Sequence, residues 1–454
     1  MIDSVRSAFM LPDLRKRILL TVFLLVIYRL VANIPVPGVN LDAWLQFTSQ
    51  PTGDNQVIYF LDFLSGGAVR NFSVMAMGVY PYITASIIIQ LLTPIIPQLE
   101  ELAAEGESGR NKINRYTYYL TVPLALLQAV GQIRLITLST GNNAIMPNFG
   151  FTPAQLLPTF TTLAAMLGGT MFAIWLGEMI TEDGIGQGIS LIIFGGIVSG
   201  ILPNVARMFA MPDMAARIFT FVSFIVITLL TIFVVVIVQE GQRRIPVQYG
   251  RRVRGRKVYQ GQSSYIPLKV NTAGMIPIIF AQSILTLPPL LAGIFITGSG
   301  SVMDTIATTI AQFGSRQDPT TNPMAFTIYW LVFFLLVVGF TFFYTDVMVQ
   351  QQNIPQSLQR QGGFIPGIRP GKRTADYIMS VVRRITFAGA VFLGTIAILP
   401  GIMQGFGAII GLQGIEQSVL VVSGSGLIII VGVVIDTMRQ LESQLLMRNY
   451  EGFI

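Results

Sequence analysis

Gly78-Val79-Tyr80-Pro81-Tyr82-Ile83-Thr84-Ala85 and Gly274-Met275-Ile276-Pro277-Ile278-Ile279-Phe280-Ala281 carry one pattern twice, Gly-x-x-Pro-x-Ile-x-Ala. Each copy sits in a run of apolar residues, and a membrane-spanning helix needs about 20 of them. Read outward from these two, the chain holds ten such runs: 18–36, 74–96, 116–133, 156–180, 189–202, 218–238, 273–296, 326–349, 377–399 and 419–438. The copies fall in the second and seventh, which is the second span of each half if ten divide into five and five. The fifth and tenth spans match too. Gly188-Ile189-Ser190-Leu191-Ile192-Ile193 runs parallel to Gly424-Ser425-Gly426-Leu427-Ile428-Ile429, with Gly196 and Gly432 following in register. An odd number of spans per half makes the halves face opposite ways, an inverted repeat of the kind membrane transport proteins use. Pro81, Pro94, Pro277, Pro288 and Pro289 are expected to remove backbone donors and bend spans 2 and 7. Interrupted segments at matching positions of two halves point to the transport pathway.

Composition supports a membrane chain. Of 454 residues, 52% are apolar and only 11% charged, against roughly 25% charged in an ordinary soluble domain. Mean hydropathy is +0.65. The first span is followed by no small-residue cleavage site and does not read as a signal peptide. The charge distribution tests the span count. With ten spans, 23 of the 29 Lys and Arg fall beside the termini and the even-to-odd loops, and five fall on the opposite side. That asymmetry is the positive-inside rule with both termini cytoplasmic. Dropping the fifth span, only 14 residues long, would put the eight basic residues of loop 6–7 outside. Much of the basic excess therefore reads as topology and attraction to anionic headgroups.

The same composition excludes chemistry. With no cysteine and no histidine, the chain has no disulfide, thiol nucleophile, Cys/His zinc site or Ser/His catalytic arrangement. No phosphate-binding Gly-x-x-x-x-Gly-Lys-Ser/Thr loop is present, and Gly371-Lys372-Arg373 does not qualify. No catalytic residue, cofactor or metal is expected, and the energy for transport must come from a partner. A secondary transporter is the alternative with inverted repeats, but it usually buries ionisable groups near the bilayer midplane. Here Asp346 and Asp436 sit at span ends, and no mid-span carboxylate stands out.

Residues 73–92, Ser73-Val74-Met75-Ala76-Met77-Gly78-Val79-Tyr80-Pro81-Tyr82-Ile83-Thr84-Ala85-Ser86-Ile87-Ile88-Ile89-Gln90-Leu91-Leu92, resemble the signature of the SecY family of protein-conducting channels. Further blocks resemble the same family in the same order. They are Glu105-Gly106-Glu107-Ser108-Gly109-Arg110, Trp175-Leu176-Gly177-Glu178, Gly184-Ile185-Gly186-Gln187-Gly188-Ile189-Ser190, Gly241-Gln242-Arg243-Arg244, Pro267-Leu268-Lys269-Val270-Asn271 and Pro366-Gly367-Ile368-Arg369-Pro370-Gly371.

The resemblance implies an all-α integral membrane fold, ten transmembrane helices in two inverted five-helix halves around a central channel. It implies a cytoplasmic segment 1–17, an N-terminal half 18–204, a C-terminal half 205–438 and a cytoplasmic tail 439–454. By motif position, Val79, Ile83, Ile189, Ile193, Ile279 and Ile429 would form an apolar pore ring, which resists water and ions by dewetting. Residues 59–73, with Leu64, Ser65, Gly66 and Gly67, would be a plug. A lateral gate between spans 2–3 and 7–8 would carry Gln90 and Asn271. Cytoplasmic loops 240–269 and 350–376 would dock the ribosome or the SecA motor through Arg243, Arg244, Arg254, Arg256, Lys257 and Arg369. Basic residues interleaved with Tyr249, Tyr259 and Tyr265 suit RNA phosphates or an acidic protein face, and 253–259 reads as a hairpin tip. Other implied partners are the small subunits SecE and SecG, signal sequences, nascent preproteins and membrane lipids, in a bacterial cell membrane. Loop 4–5 carries Glu178, Glu182 and Asp183 without a basic residue, and Gln350-Gln351-Gln352-Asn353 is more amide-rich than the family pattern.

Overall fold

The computed structural model describes residues 10–44, 65, 67–140, 145–150, 152–209, 214–249, 252–254, 257–259, 263–296, 302–315, 322–352, 354–369, 371–410 and 425–451. Each of the ten expected spans coincides with a helix among them. Spans 1 to 5 are α1 (Pro12–Val31), α2 (Tyr80–Leu92), α4 (Glu107–Thr140), α5 (Leu156–Asp183) and α6 (Gly188–Phe209), with a short α3 (Pro97–Ala104) after α2. Spans 6 to 10 are α7 (Met214–Glu240), α8 (Ile276–Phe295), α10 (Pro323–Gln352), α12 (Lys372–Ala397) and α14 (Ser425–Glu451). Between them lie α9 (Val302–Ser315), α11 (Ile354–Arg360) and α13 (Leu399–Ile410).

Among the described residues α4, α5, α8, α10 and α12 are each long and apolar enough to cross a membrane alone. Pairing α2 with α3 would make a sixth, but the chain turns by 100° between them. Pro94 stands in that break, where it cannot continue the ladder of α2. Charged turns interrupt α1 and α14, and α6 and α7 hold shorter apolar stretches, Gly188–Ile201 and Phe224–Glu240. Span 5, short in the sequence, gains its length from the turns beyond residue 202. Its 22 residues at 1.5 Å each extend about 33 Å, enough for a hydrocarbon core of about 30 Å.

Helices related by the sequence repeat meet across the halves, beside the contact of α4 with α8. α2 packs against α8, and α6 against α14. Elements beside a pseudo-two-fold axis contact their own counterparts, so these contacts are what the repeat demands. The largest apolar cluster runs through all four of these helices and on into α1, α5, α10 and α12.

A small sheet interrupts the helices. β1 (Gln242–Tyr249) pairs antiparallel with β4 (Ser263–Lys269), and β2 (Arg252–Arg254) with β3 (Lys257–Tyr259) forms the expected hairpin tip. β5 (Gly363–Phe364) adds to the free edge of β1, through Gln248↔Phe364 and Tyr249↔Gly363. Loops 6–7 and 8–9 are thereby one module. Its own core is Ile245, Val247 and Leu268 from the sheet packed with Leu358, Ile365, Ile378 and Val382.

Candidate channel site

The repeated octapeptide folds the same way twice. Gly78 and Gly274 both take positive φ, +50° and +66°, a region open to glycine at little cost. One residue later Val79 and Met275 are the N-caps of α2 and α8, and Pro81 and Pro277 follow within the first turn. The expectation that these two prolines interrupt spans is therefore corrected. A first-turn proline has no helical hydrogen bond to lose and its fixed φ favours helix entry. Residues before each glycine are not helical. Pro288 and Pro289 do lie inside α8.

This geometry brings the expected ring residues together. Val79, Ile83, Ile193, Ile279 and Ile429 are all buried in the one large apolar cluster, and Ile189 packs on it partly buried. They come from two helices of each half. Close approach of the surrounding helices depends on glycine. A Cβ on Gly188 would lie 1.8 Å from the Gly177 carbonyl oxygen, and one on Gly169 would lie 2.0 Å from that of Val74.

Of the expected plug residues, Leu64 and Gly66 lie outside the described residues. Ser65 is fully buried, and its carbonyl accepts a 2.6 Å hydrogen bond from the Tyr28 hydroxyl of α1. Its own hydroxyl oxygen accepts from the Val69 N–H at 3.3 Å. Gly67 has φ +83°, and a Cβ there would meet the Arg29 guanidinium at 3.0 Å. Ala68 belongs to the same apolar cluster as the ring residues. The Trp44 indole N–H donates to the Arg70 carbonyl at 2.7 Å, and Trp44 meets Phe72 edge to face. The segment leading into α2 is thus tied to α1 and to the chain following it.

Among the described residues neither expected gate amide hydrogen-bonds across helices. The Asn271 side chain donates to the Gly274 carbonyl and accepts from the Gly274 N–H, both at 3.0 Å. It thereby braces the turn that starts α8. Gln90 donates to Ser86 Oγ, one turn back on its own helix, at 3.0 Å. The cross-helix contacts belong to residues the sequence reading passed over. The Tyr80 hydroxyl donates to the Ser283 carbonyl at 3.1 Å, joining α2 to α8. Gln128 donates to Thr84 Oγ1 at 3.3 Å, joining α4 to α2. Gln132, one turn further along α4, is buried with neither end of its amide hydrogen-bonded among the described residues. The available signal was Gln128 and Gln132 four apart in an apolar span, since polar groups there face a bundle interior. On the adjoining helices Tyr118 hydrogen-bonds Glu178, and Tyr82 stacks on Tyr118 at 5.5 Å.

At the sheet end of α8 a cavity of about 190 Å³ is lined by Lys269, Asn271, Met275, Tyr344 and Asp436, among others. Burial pushes the Lys269 ammonium below its usual range. Arg439 adds to that effect, while Asp436 and Glu240 oppose it. Arg439 pairs with Glu240 at 2.7 Å. On the sheet, Arg243 and Arg244 are exposed, and the Arg244 guanidinium lies 4.8 Å above the Tyr265 ring. Arg369 is exposed just past β5. Arg254 and Lys257 are paired in register at the hairpin tip, and Arg256 lies outside the described residues.

The family model for SecY matches residues 73–438. The protein translocase subunit SecY of Halalkalibacterium halodurans is 40% identical over 462 residues, with both chains covered completely. Two solved channels share the fold. One is a SecY protein whose plug domain stabilises the closed state of its translocation channel and maintains a membrane seal. It superposes with a TM-score of 0.62 at 19% identity, over 94% of this chain and 91% of that one. The other is Sec61 in the canine ribosome-channel complex from the endoplasmic reticulum, with a TM-score of 0.59 at 19% identity over 93% and 92%.

Proposed function

The chain belongs to the SecY family, and from that premise we propose that it forms the channel of a bacterial protein translocase. It passes unfolded preproteins across the membrane and releases hydrophobic segments sideways into lipid. It is a multi-pass protein of the bacterial plasma membrane. The observation that carries the reading is the common apolar cluster holding Val79, Ile83, Ile193, Ile279 and Ile429, with Ile189 against it. An apolar waist built from both halves is a poor solute site and an effective seal, because it dewets when empty and its side chains yield to a passing chain.

In this reading the six residues are the pore ring, and residues 59–73 are the plug, with buried Ser65 and Ala68 seated against α1 and the ring cluster. The lateral gate opens between spans 2–3 and 7–8, that is, between α2 with α4 and α8 with α10, where α2 and α4 meet α8. Gln90 and Asn271 serve it by shaping their own segments, and Tyr80, Thr84 and Gln128 supply the contacts that must break. The halves comprise 18–204 and 205–438, with both termini cytoplasmic. The sheet module, 240–269 joined to 350–376, is the docking face. Arg243, Arg244, Arg254, Arg256, Lys257 and Arg369 would engage ribosomal RNA or the SecA motor. SecE and SecG are the expected small companions. The chain conducts rather than catalyses, with energy supplied by the docked partner.

Crosslinking tests the central claim. Ile83→Cys and Ile279→Cys should each trap a preprotein stalled in transit, whereas Leu335→Cys, exposed on α10, should not. Equal labelling at all three positions, or none at the first two, would refute the pore assignment.

A further inference from the structure

α9 follows α8 directly, at the end of α8 remote from the sheet. Placed on a helical wheel at 100° per residue, its described side chains fall into three sectors rather than two. Asp304, Ala307 and Ala311 form a buried sector, and the helix packs on α8. Val302, Met303, Ile306 and Ile310 form a second sector that is apolar and exposed, Val302 by 78% and Ile306 by 52%. Thr305 and Thr309 form the third, exposed and hydroxylic. The Thr308 and Thr309 hydroxyls turn back to the Thr305 carbonyl at 2.9 and 2.8 Å.

A surface helix in water needs one face for the protein and one for solvent. A separate exposed apolar face has no use there, but it fits a helix lying where protein, acyl chains and water meet. The neighbouring spans also expose apolar side chains near α9. Phe295 at the end of α8 is 54% exposed, and Met324 and Ile328 at the start of α10 are exposed as well. Both spans that α9 connects thus carry exposed apolar side chains at the ends next to it.

We infer that α9 is an interfacial helix whose Val302, Met303, Ile306 and Ile310 face lies among lipid acyl chains at the membrane boundary. Helices of this kind sit with their apolar face roughly 5–10 Å into the headgroup and acyl boundary. The inference rests on the membrane-channel reading above. It has a consequence for the gate. α8 is packed against a helix held at the depth of the boundary, so the remote end of α8 resists sliding along the membrane normal.

The chain has no cysteine, so single spin labels report one site each. Met303→Cys, Ile306→Cys, Thr305→Cys and Leu335→Cys are labelled in the full chain with its companion subunits, in phosphatidylethanolamine–phosphatidylglycerol vesicles. Collision with oxygen is then compared with collision with a water-soluble nickel chelate. Labels at 303 and 306 should favour oxygen several-fold over the label at 305 and approach the mid-span label at 335. If label 306 matches 305 in water while 335 reads lipid, α9 is not interfacial and the channel reading stands. If 306 is shielded from both reagents, a protein covers this face and the inference fails. If 335 itself reads water, the membrane reading fails and takes the inference with it.

Discussion

The Tyr80 hydroxyl of α2 donates a 3.1 Å hydrogen bond to the Ser283 carbonyl of α8, across 203 residues of sequence and between the two halves of the channel. It is buried at both ends and ties the two helices that carry the octapeptide repeat. A gate contact must hold at rest and yet break when a signal sequence arrives. Interhelical hydrogen bonds inside membranes average about 0.6 kcal/mol, a strength suited to that task. Tyr80→Phe keeps the ring and deletes the bond. Losing about 0.6 kcal/mol should shift the gate toward opening about threefold. Translocation of a preprotein with a weakened signal sequence should rise accordingly, measured by protease protection in vesicles. An unchanged rate would show that this bond does not restrain the gate.

The neighbouring interface of α4 with α8 is held close by glycine. A Cβ on Gly131 of α4 would lie 2.1 Å from the Leu290 carbonyl oxygen of α8, and one on Gly293 would lie 3.0 Å from the Gly131 carbonyl oxygen. Neither oxygen is the tip of a flexible side chain, so the helices must part. Overpacking of this kind costs about 1–3 kcal/mol, borne by the arrangement in which these helices touch, which is the closed one in the proposed reading. Gly131→Ala should therefore raise resting ion leak and speed entry of weak signals. If the variant folds with normal leak, α4 and α8 do not form the closed seam.

The repeat is legible in sequence because the same backbone problem is solved twice with the same residues. A left-handed turn needs glycine, and a helix beginning two residues later accepts proline in its first turn. Ile83 and Ile279 occupy equal positions after that start, which pairs them in the proposed ring. What the sequence leaves hidden is non-local. Tyr80 finds a backbone carbonyl, which no side-chain pattern records, and β5 is two residues long with no signal of its own. Asn271 misleads for a related reason. Its polarity in an apolar region suggests a partner on another helix, but both ends of the amide are used on Gly274, three residues away.

Joining loop 8–9 to loop 6–7 in one sheet makes a prediction about docking. Arg369 is exposed beyond β5, and Arg244 is exposed on β1 with its charge over Tyr265. An exposed arginine contributes little to folding, so reversing its charge tests binding alone. Arg369→Glu should slow motor-driven translocation while leaving the melting temperature of the purified protein unchanged. Raising the salt from 50 to 200 mM should slow the parent chain more than the variant, because each lost phosphate or carboxylate contact flattens the salt dependence. Equal rates and equal salt slopes would remove Arg369 from the docking face.

The seal makes the sharpest demand on the ring. Ile83 and Ile279 are the repeat-related pair, both 7% exposed within the same cluster. Each isoleucine reduced to glycine deletes four carbons, and cavities in apolar cores cost about 24 cal/mol per Å³. In a pore waist the empty volume has a second outlet, because water can enter it from either vestibule. Once wetted, the constriction no longer excludes ions. Ile83→Gly together with Ile279→Gly should therefore conduct in a planar bilayer without any preprotein, while the same pair changed to valine, which keeps three of the four carbons, should stay closed. Conductance that is equally silent in both variants would mean that the seal lies elsewhere, with the plug segment around Ser65 and Ala68 the next place to cut.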